Sequence, residues 1–378
     1  MYDVIIVGAG PAGAAAALSF KESSLKVGLL DKDHFPRNKV CGDFVMARGI
    51  KYIDERAPGF LQKVQSFPHK VVNRQTVLHI DDLPPLSWTW NQKSYTLKRQ
   101  DFDYLLLQEA LAQTDTEFLP GTKIRDIEHT AKGLAVHTTK GQTLHTRLII
   151  GADGANSVVG RKLGNYQLNH EHYGGSVRAY FTGLQNLNTE ANEVYINKAV
   201  VPGYFWLFPL SCSSANVGLG MHSRHITRNK ADLKSIFHQF IETHPLLRHK
   251  MEQATMEDSL RGFGLPFYSQ KRLLSGHRFM LTGDAGSLID PTNGEGIFQA
   301  IVSGLLAGDT ARSILPKGEP NATATQAYAE AVHGKFWREM RIKAWLVKAF
   351  ADKSKLHRAV GKICVQQPLI RRGIQKLM

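Results

Sequence analysis

Residues 2–31 constrain this chain more than any other stretch. Tyr2-Asp3-Val4-Ile5-Ile6-Val7 is an apolar strand, and Gly8-Ala9-Gly10-Pro11-Ala12-Gly13 is a glycine turn. An alanine-rich helix follows, and Val27-Gly28-Leu29-Leu30-Asp31 is a second strand ending in an acid. That order is the strand-helix-strand unit that binds a dinucleotide. Gly8 permits the tight turn, Gly10 lets the backbone approach a pyrophosphate, and Gly13 lets the helix pack closely on the strand. The first amides of the helix, from Pro11 and Ala12 onward, point at the phosphates with the positive end of the helix dipole behind them. Asp31 stands where a carboxylate accepts hydrogen bonds from ribose hydroxyls and repels a 2′-phosphate, so FAD or NAD is favoured over NADP at this site.

The chain has 378 residues, 43% of them hydrophobic and 21% charged, ample for one large or two to three intertwined domains around a sizeable core. Three widely spaced cysteines, Cys41, Cys212 and Cys364, give neither a disulfide framework nor a zinc site, so no metal is expected and a reducing compartment is. The first strand begins at Tyr2, leaving no room for a cleaved signal, and no apolar stretch is long enough to span a bilayer. The expectation is a cytoplasmic protein. Its net charge of +14 is concentrated at one end, because residues 335–376 hold twelve Lys or Arg against Glu339 and Asp352. Phe336, Trp337, Ile342, Trp345, Leu346 and Phe350 are interleaved with those charges at partly helical spacing. Two readings fit these basic amphipathic helices: a cap packed on the body with a solvated basic face, or a surface for peripheral contact with anionic membrane. Nucleic acid is not an expected partner, since no nucleic-acid motif accompanies the charge.

Three later segments decide between FAD and NAD. Leu148-Ile149-Ile150-Gly151-Ala152-Asp153-Gly154 is a buried strand entering a turn. Phe279-Met280-Leu281-Thr282-Gly283-Asp284 is another apolar strand, ending in Gly-Asp. Asp290-Pro291-Thr292-Asn293-Gly294-Glu295-Gly296-Ile297 opens a helix of small residues. In this order the chain resembles the FAD-dependent superfamily of aromatic hydroxylases, flavin halogenases and geranylgeranyl reductases. The resemblance implies a glutathione-reductase-like FAD fold over roughly residues 1–325. It implies contacts to FAD from Asp153 and Gly154, a ribityl hydrogen bond from Asp284 beside Gly283, and flavin contacts from Pro291 and from the amides of Gly294, Glu295, Gly296 and Ile297. Such amides would face the edge where negative charge gathers on reduction. It also places Arg99 at the flavin edge or pyrophosphate and the backbone of Ile124 near the adenine, and it adds Lys32 and Arg37 beside the ribose-binding acid.

Two further segments resemble the geranylgeranyl reductases in particular. Phe35-Pro36-Arg37-Asn38-Lys39-Val40-Cys41-Gly42 is similar to their Pro-x-x-Lys-x-Cys-Gly stretch, which adds Cys41 and Gly42 to the flavin contacts. Gly203-Tyr204-Phe205-Trp206-Leu207-Phe208-Pro209 is similar to the Tyr-x-Trp-x-Phe-Pro motif that lines their prenyl pocket. Read as a strand, Tyr204, Trp206 and Phe208 share one face and form an aromatic wall for substrate; without the resemblance, three aromatics in a sheet core would serve as well. Pro202 stands two before Tyr204 rather than three, which leaves substrate choice open. Trp88-Thr89-Trp90 superficially resembles the halogenases' Trp-x-Trp-x-Ile-Pro motif, but Asn91-Gln92 follow and no Ile-Pro is present, so halogenation is discounted.

The expected architecture is α/β: a discontinuous FAD-binding Rossmann domain (1–72, 98–165 and 265–325), a mainly antiparallel substrate domain (73–97 and 166–264) and a basic helical region (326–378). The expected activity is FAD-dependent reduction of a carbon-carbon double bond in an isoprenoid or similar apolar or lipid substrate, by hydride transfer from flavin N5. Cys41 is the catalytic candidate, because a thiol beside the flavin orients the alkene or donates a proton, although a buried small hydrophobe is the plainer role for a cysteine. The alternative is an aromatic monooxygenase acting through a C4a-hydroperoxide; a flavin-binding protein without turnover is the third reading. NADPH or ferredoxin remains open as a transient electron donor, since no second glycine motif is present.

Overall fold

Strands from distant parts of the chain interleave into two sheets. The structure is a computed structural model and describes residues 1–351. Among the described residues the first sheet has eight strands, with Phe279–Leu281, Thr143–Gly151, Tyr2–Val7, Val27–Leu30 and Glu117–Leu119 side by side and a hairpin (Ile124–Thr130, Gly133–Thr138) attached to Thr143–Gly151. Those five run parallel: Val4 lies opposite Val27 on one side and Leu148 on the other. Val4, Ile5 and Ile6 are completely buried, as expected of parallel strands covered on both faces, and this is why the strand reads as an unbroken apolar run. The helix Pro11–Leu18 is buried along its whole length. It crosses the helix Ile297–Ile314 so closely that a Cβ on Gly304 would lie 2.1 Å from the Ala12 carbonyl oxygen. Small residues at the crossing make that approach feasible.

The second sheet has nine strands among the described residues and is mainly antiparallel. Its central run is Tyr173–Thr182, Ser214–His222, Gly203–Pro209, Ala191–Ile196, Val71–Ile80 and Leu86–Thr96. The exception is a parallel pairing of Ala191–Ile196 with Val71–Ile80. Period-two alternation divides its side chains. Phe205, Leu207, Val217 and Leu219 join a core with Phe237 and Phe240 of the helix Leu233–Thr243, whereas Tyr204, Trp206 and Phe208 line a cavity on the opposite face. Strand pairing moves the edges expected from sequence: Phe44–Val45, Val71–Val72 and Leu265–Pro266 belong to the second sheet, not the first.

The helix Ala322–Ala351 packs Tyr328, Val332, Phe336 and Met340, spaced four apart, into the first domain's core. Arg338, Arg341 and Lys348 stay exposed, as the helical-cap reading expects. Lys343 departs from it: this basic residue is 2% exposed and bridges Asp290 at 2.6 Å and Glu339 at 2.7 Å. Residues 352–378, with Cys364 and the remaining basic residues of the tail, lie outside the described residues. No helix among the described residues is long and apolar enough to cross a membrane.

Candidate functional site

One cavity of about 1120 Å³ lies between the two sheets. That is just above the roughly 300–1,000 Å³ of a typical small-molecule site. Every cofactor or substrate residue expected from sequence lines it except Gly13 and Gly283. Those two act from behind. A Cβ on Gly13 would sit 1.7 Å from the Gly8 carbonyl oxygen, so helix and turn can meet only with hydrogen there. Gly283 donates its N–H to Ser303 Oγ at 2.9 Å and seats the Asp284 turn on the neighbouring helix.

The nucleotide end is built as the first strand predicts. Gly8 has a φ of +98°, and a Cβ would be 2.4 Å from the Ala152 carbonyl oxygen, which leaves glycine as the residue that fits this turn. Gly10 is extended, and a Cβ there would meet only the Arg37 guanidinium at 3.2 Å. A side chain at Gly10 would fill the space in front of the helix N-terminus, where an anion belongs. Asp31 is buried; one oxygen accepts the Ala9 N–H at 2.8 Å and the other the Asp33 N–H at 2.9 Å. Its carboxylate therefore also braces the glycine turn. This cradle, which any Cβ would fill, fits a dinucleotide such as FAD.

Four side chains differ from their expected roles. Asp153 caps the short helix Val158–Lys162, accepting from Ser157 Oγ at 2.5 Å and from the Val158 N–H at 2.6 Å. Its carboxylate is engaged in the fold, although Asp153 lines the cavity. Glu295 turns back on its own helix, accepting the Phe298 N–H at 2.8 Å and lying 3.3 Å from Arg48. Two of the amides expected to face the flavin are taken within the turn, Glu295 N–H by Asn293 Oδ1 at 2.9 Å and Gly294 N–H by the Asp290 carbonyl at 3.0 Å; burial pushes the Glu295 carboxyl up, with Arg48 opposing. Arg99 does not reach out as a free cation. Asp103 grips its guanidinium at 2.6 and 2.9 Å. Burial works against the charge on Arg99, but Asp103 more than offsets it and holds the group above its ordinary range. Lys32 is exposed and pairs with Asp33 at 2.7 Å, at the cavity's rim.

The Cys41 loop lies against the aromatic wall. A Cβ on Gly42 would be 3.2 Å from the Phe208 ring and 3.6 Å from Trp206 Nε1. Tyr204 and Trp206 have ring centroids 5.9 Å apart, and Trp206 and Phe208 6.2 Å. The Tyr204 hydroxyl donates to the Asn293 carbonyl, tying the wall to the Pro291–Gly296 turn. Asn216 donates to the Cys41 carbonyl at 2.7 Å and to Asp43 at 2.8 Å, while Tyr180 donates to Asp43 at 2.8 Å. Asp43 is completely buried and burial raises its carboxyl's pKa, the donors from Asn216 and Tyr180 opposing. Arg37 is held by Asp103 at 3.2 Å. Lys39 Nζ rests 3.0 Å from the centroid of the Phe263 ring; burial lowers it to about 8, with Asp284 opposing and Arg99 adding to the shift. Burial holds His222 down to about 4, and its Nε2 lies 3.0 Å from the Pro291 carbonyl.

Sequence reasoning missed the Asp43-Asn216-Tyr180 brace and a second arm of the cavity. Val194 lies opposite Trp206 on one side and Leu78 on the other, and Leu78 lies opposite Leu86. The aromatic wall therefore continues into an apolar floor with Ile80, Trp88 and Trp90 beyond it. The alternation Leu78, Ile80 and Trp88, Trp90 was the available signal.

Comparison with known proteins agrees with this geometry. The family described as FAD binding domain matches residues 1–305. The menaquinone reductase of Mycolicibacterium smegmatis is 29% identical over 321 residues, 81% of this chain and 75% of that protein. A digeranylgeranylglycerophospholipid reductase of Thermoplasma acidophilum is 25% identical, over 92% of this chain and 87% of that protein. Among solved structures, a geranylgeranyl bacteriochlorophyll reductase-like protein of Thermoplasma acidophilum aligns with a TM-score of 0.80 at 21% identity, covering 100% of this chain and 99% of the other. A flavin-dependent brominase aligns with the same TM-score at 18% identity, covering 100% and 92%. At these identities the two structures establish the fold alone.

Proposed function

The chain belongs to the FAD binding domain family and is an FAD-dependent oxidoreductase, and from that premise we propose that it saturates a carbon-carbon double bond in an isoprenoid or similar apolar chain. The observation that carries this reading is the continuity of the cavity. A cradle suited to a dinucleotide opens directly onto the wall of Tyr204, Trp206 and Phe208 and the floor of Val194, Leu78 and Leu86. A long apolar substrate fits such a surface better than a small polar phenol does, and its burial there excludes water from the reaction.

FAD, when bound, supplies the hydride chemistry. The chain's own residues bind and orient. Gly8, Gly10 and the amides at the start of the Pro11–Leu18 helix take the pyrophosphate, and Asp31 the ribose. Asp284 and the Gly294–Ile297 turn face the far end of the cofactor. The bond from Asn216 to the Cys41 carbonyl fixes the loop against the aromatic wall, so that Cys41 flanks an alkene lying along that wall. Ile342 and Trp345, 44% and 66% exposed beside Arg338, Arg341 and Lys348, form a surface suited to anionic membrane, from which a lipid substrate is drawn. The printed names of the reductase relatives, on menaquinone and on a digeranylgeranyl lipid, agree with an apolar substrate.

The test is to reduce the flavin anaerobically, with NADPH and with ferredoxin as alternative donors, and to add a geranylgeranyl lipid or menaquinone. Flavin reoxidation with a saturated product is expected. Inertness toward both, together with oxygen uptake that depends on an aromatic substrate, overturns the reading in favour of a monooxygenase.

A further inference from the structure

Saturating an alkene requires a proton as well as a hydride, and few groups at the wall end of the cavity can give one. The Tyr204 hydroxyl is committed to the Asn293 carbonyl, and burial drives its pKa well above the usual phenol range. His222 is neutral near pH 7, and its Nε2–H points to a backbone carbonyl. Glu295 accepts the Phe298 N–H on one oxygen and faces Arg48 with the other, so both of its oxygens are committed. Arg99 is locked to Asp103. Cys41, a free thiol on the neighbouring loop position, is the competing donor.

Lys39 differs from all of these. Its ammonium lies in the cavity lining on the Phe263 ring face, with no carboxylate at ion-pair distance among the described residues. The titratable groups around it come from several elements: Asp284 from its turn, Arg99 from the helix Arg99–Gln113, and Arg37 and Cys41 from its own loop. Gly42, three residues along the same loop, is the one that lies against the aromatic wall.

We propose that Lys39 is the proton donor of the reduction, which rests on the reductase reading above. The Lys39 N–H bond breaks and a C–H bond forms at the alkene carbon adjacent to the one that receives the hydride. The electron pair arrives with that hydride from the reduced flavin, which is thereby oxidised, and the neutral amine recovers its proton from solvent. The remaining pull of Asp284 and the cost of burying a cation leave the ammonium ready to release its proton near neutral pH, where a general acid is most effective.

The experiment uses full-length FAD-loaded protein. Lysine labelled with ¹³C is titrated by NMR, the Lys39 signal being assigned by its loss in K39M, and a midpoint near about 8 is expected. In anaerobic stopped flow, K39M retains flavin but its reduced flavin is reoxidised by the alkene roughly 100-fold or more slowly, the usual contribution of a general acid. K39R stays equally slow, because a guanidinium keeps the charge but does not release its proton. Methylammonium restores part of the rate to K39A. A wild-type rate in K39R, or a Lys39 midpoint at the ordinary 10.5, overturns the assignment in favour of a purely electrostatic role. A wild-type protein inert to every alkene lipid overturns the reductase reading and Lys39's role with it, an outcome recognisable because no variant is then slower than wild type.

Discussion

Replacing Lys343 by methionine should destabilise the protein by about 3 kcal/mol, a figure that follows from the buried pair it forms. Lys343 and Asp290 have side chains 3% and 0% exposed, 2.6 Å apart. Removing one partner of such a pair costs about 3–5 kcal/mol because the other charge is left buried without compensation. Asp290 Oδ1 keeps two donors, the Thr292 N–H at 2.8 Å and hydroxyl at 2.6 Å, so only Oδ2 is orphaned and the lower end of that range applies. Against a typical total of about 5–15 kcal/mol the loss is large. Asp290 also accepts the Gly294 N–H through its carbonyl, so the disturbance enters the turn that lines the cavity, and FAD affinity should fall with stability. Urea unfolding at fixed protein and saturating FAD measures the first effect, and flavin fluorescence titration the second. The double variant D290N/K343M should recover at least about 1 kcal/mol of the K343M loss, since no buried charge remains. Burial opposes the Lys343 charge but Asp290 overcomes it and raises the pKa. A raised lysine contributes stability that is complete below its unfolded value of 10.5 and is lost as pH climbs through the folded value, so wild type and K343M should converge at high pH. A K343M loss under about 1 kcal/mol, or a double variant equal to the sum of the singles, refutes the argument.

Gly10→Val should fold with near-wild-type stability yet bind FAD at least roughly 100-fold more weakly by fluorescence titration, because its side chain occupies the anion position without straining an extended backbone; undiminished flavin content would place the pyrophosphate elsewhere. Trp206→Ala removes a buried aromatic contact of about 1.5–3 kcal/mol and should raise KM for an apolar substrate roughly 10- to 100-fold while flavin content holds; an unchanged KM would remove the wall from the substrate site. Asp153→Ala should lower the urea midpoint by the equivalent of about 1 kcal/mol, the value of a helix cap, with FAD affinity changed less than about threefold; a large affinity loss would restore the carboxylate to the cofactor site. His222 has its folded pKa at about 4, below its unfolded 6.5, so its contribution is complete above 6.5 and is lost as pH falls toward 4. Melting curves across that window should slope less steeply for H222N, and equal slopes would contradict the burial of a neutral ring.

The residues legible in the sequence are those whose roles are local. Gly8, Gly13 and Asp31 could be read because a turn, a helix packing on its own strand and a strand-end acid are settled within thirty residues, and the 1.7 Å clearance at Gly13 leaves no second choice. A motif locates a side chain without saying where it points. Asp153 and Glu295 both line the cavity, but each carboxylate accepts from N–H groups that the first turn of a helix leaves orphaned. The apolar floor was harder to foresee for a topological reason. Leu78 meets Val194 through a parallel pairing of segments more than a hundred residues apart, and no local period reveals which strand lies alongside. Lys343 shows the converse limit: among the described basic residues of a tail that reads as solvated, this buried one pairs with Asp290, which lies in another motif altogether. The two motifs are thus mechanically joined. Lys343 ties the helix Ala322–Ala351 to the turn that opens at Asp290 through a buried charge pair.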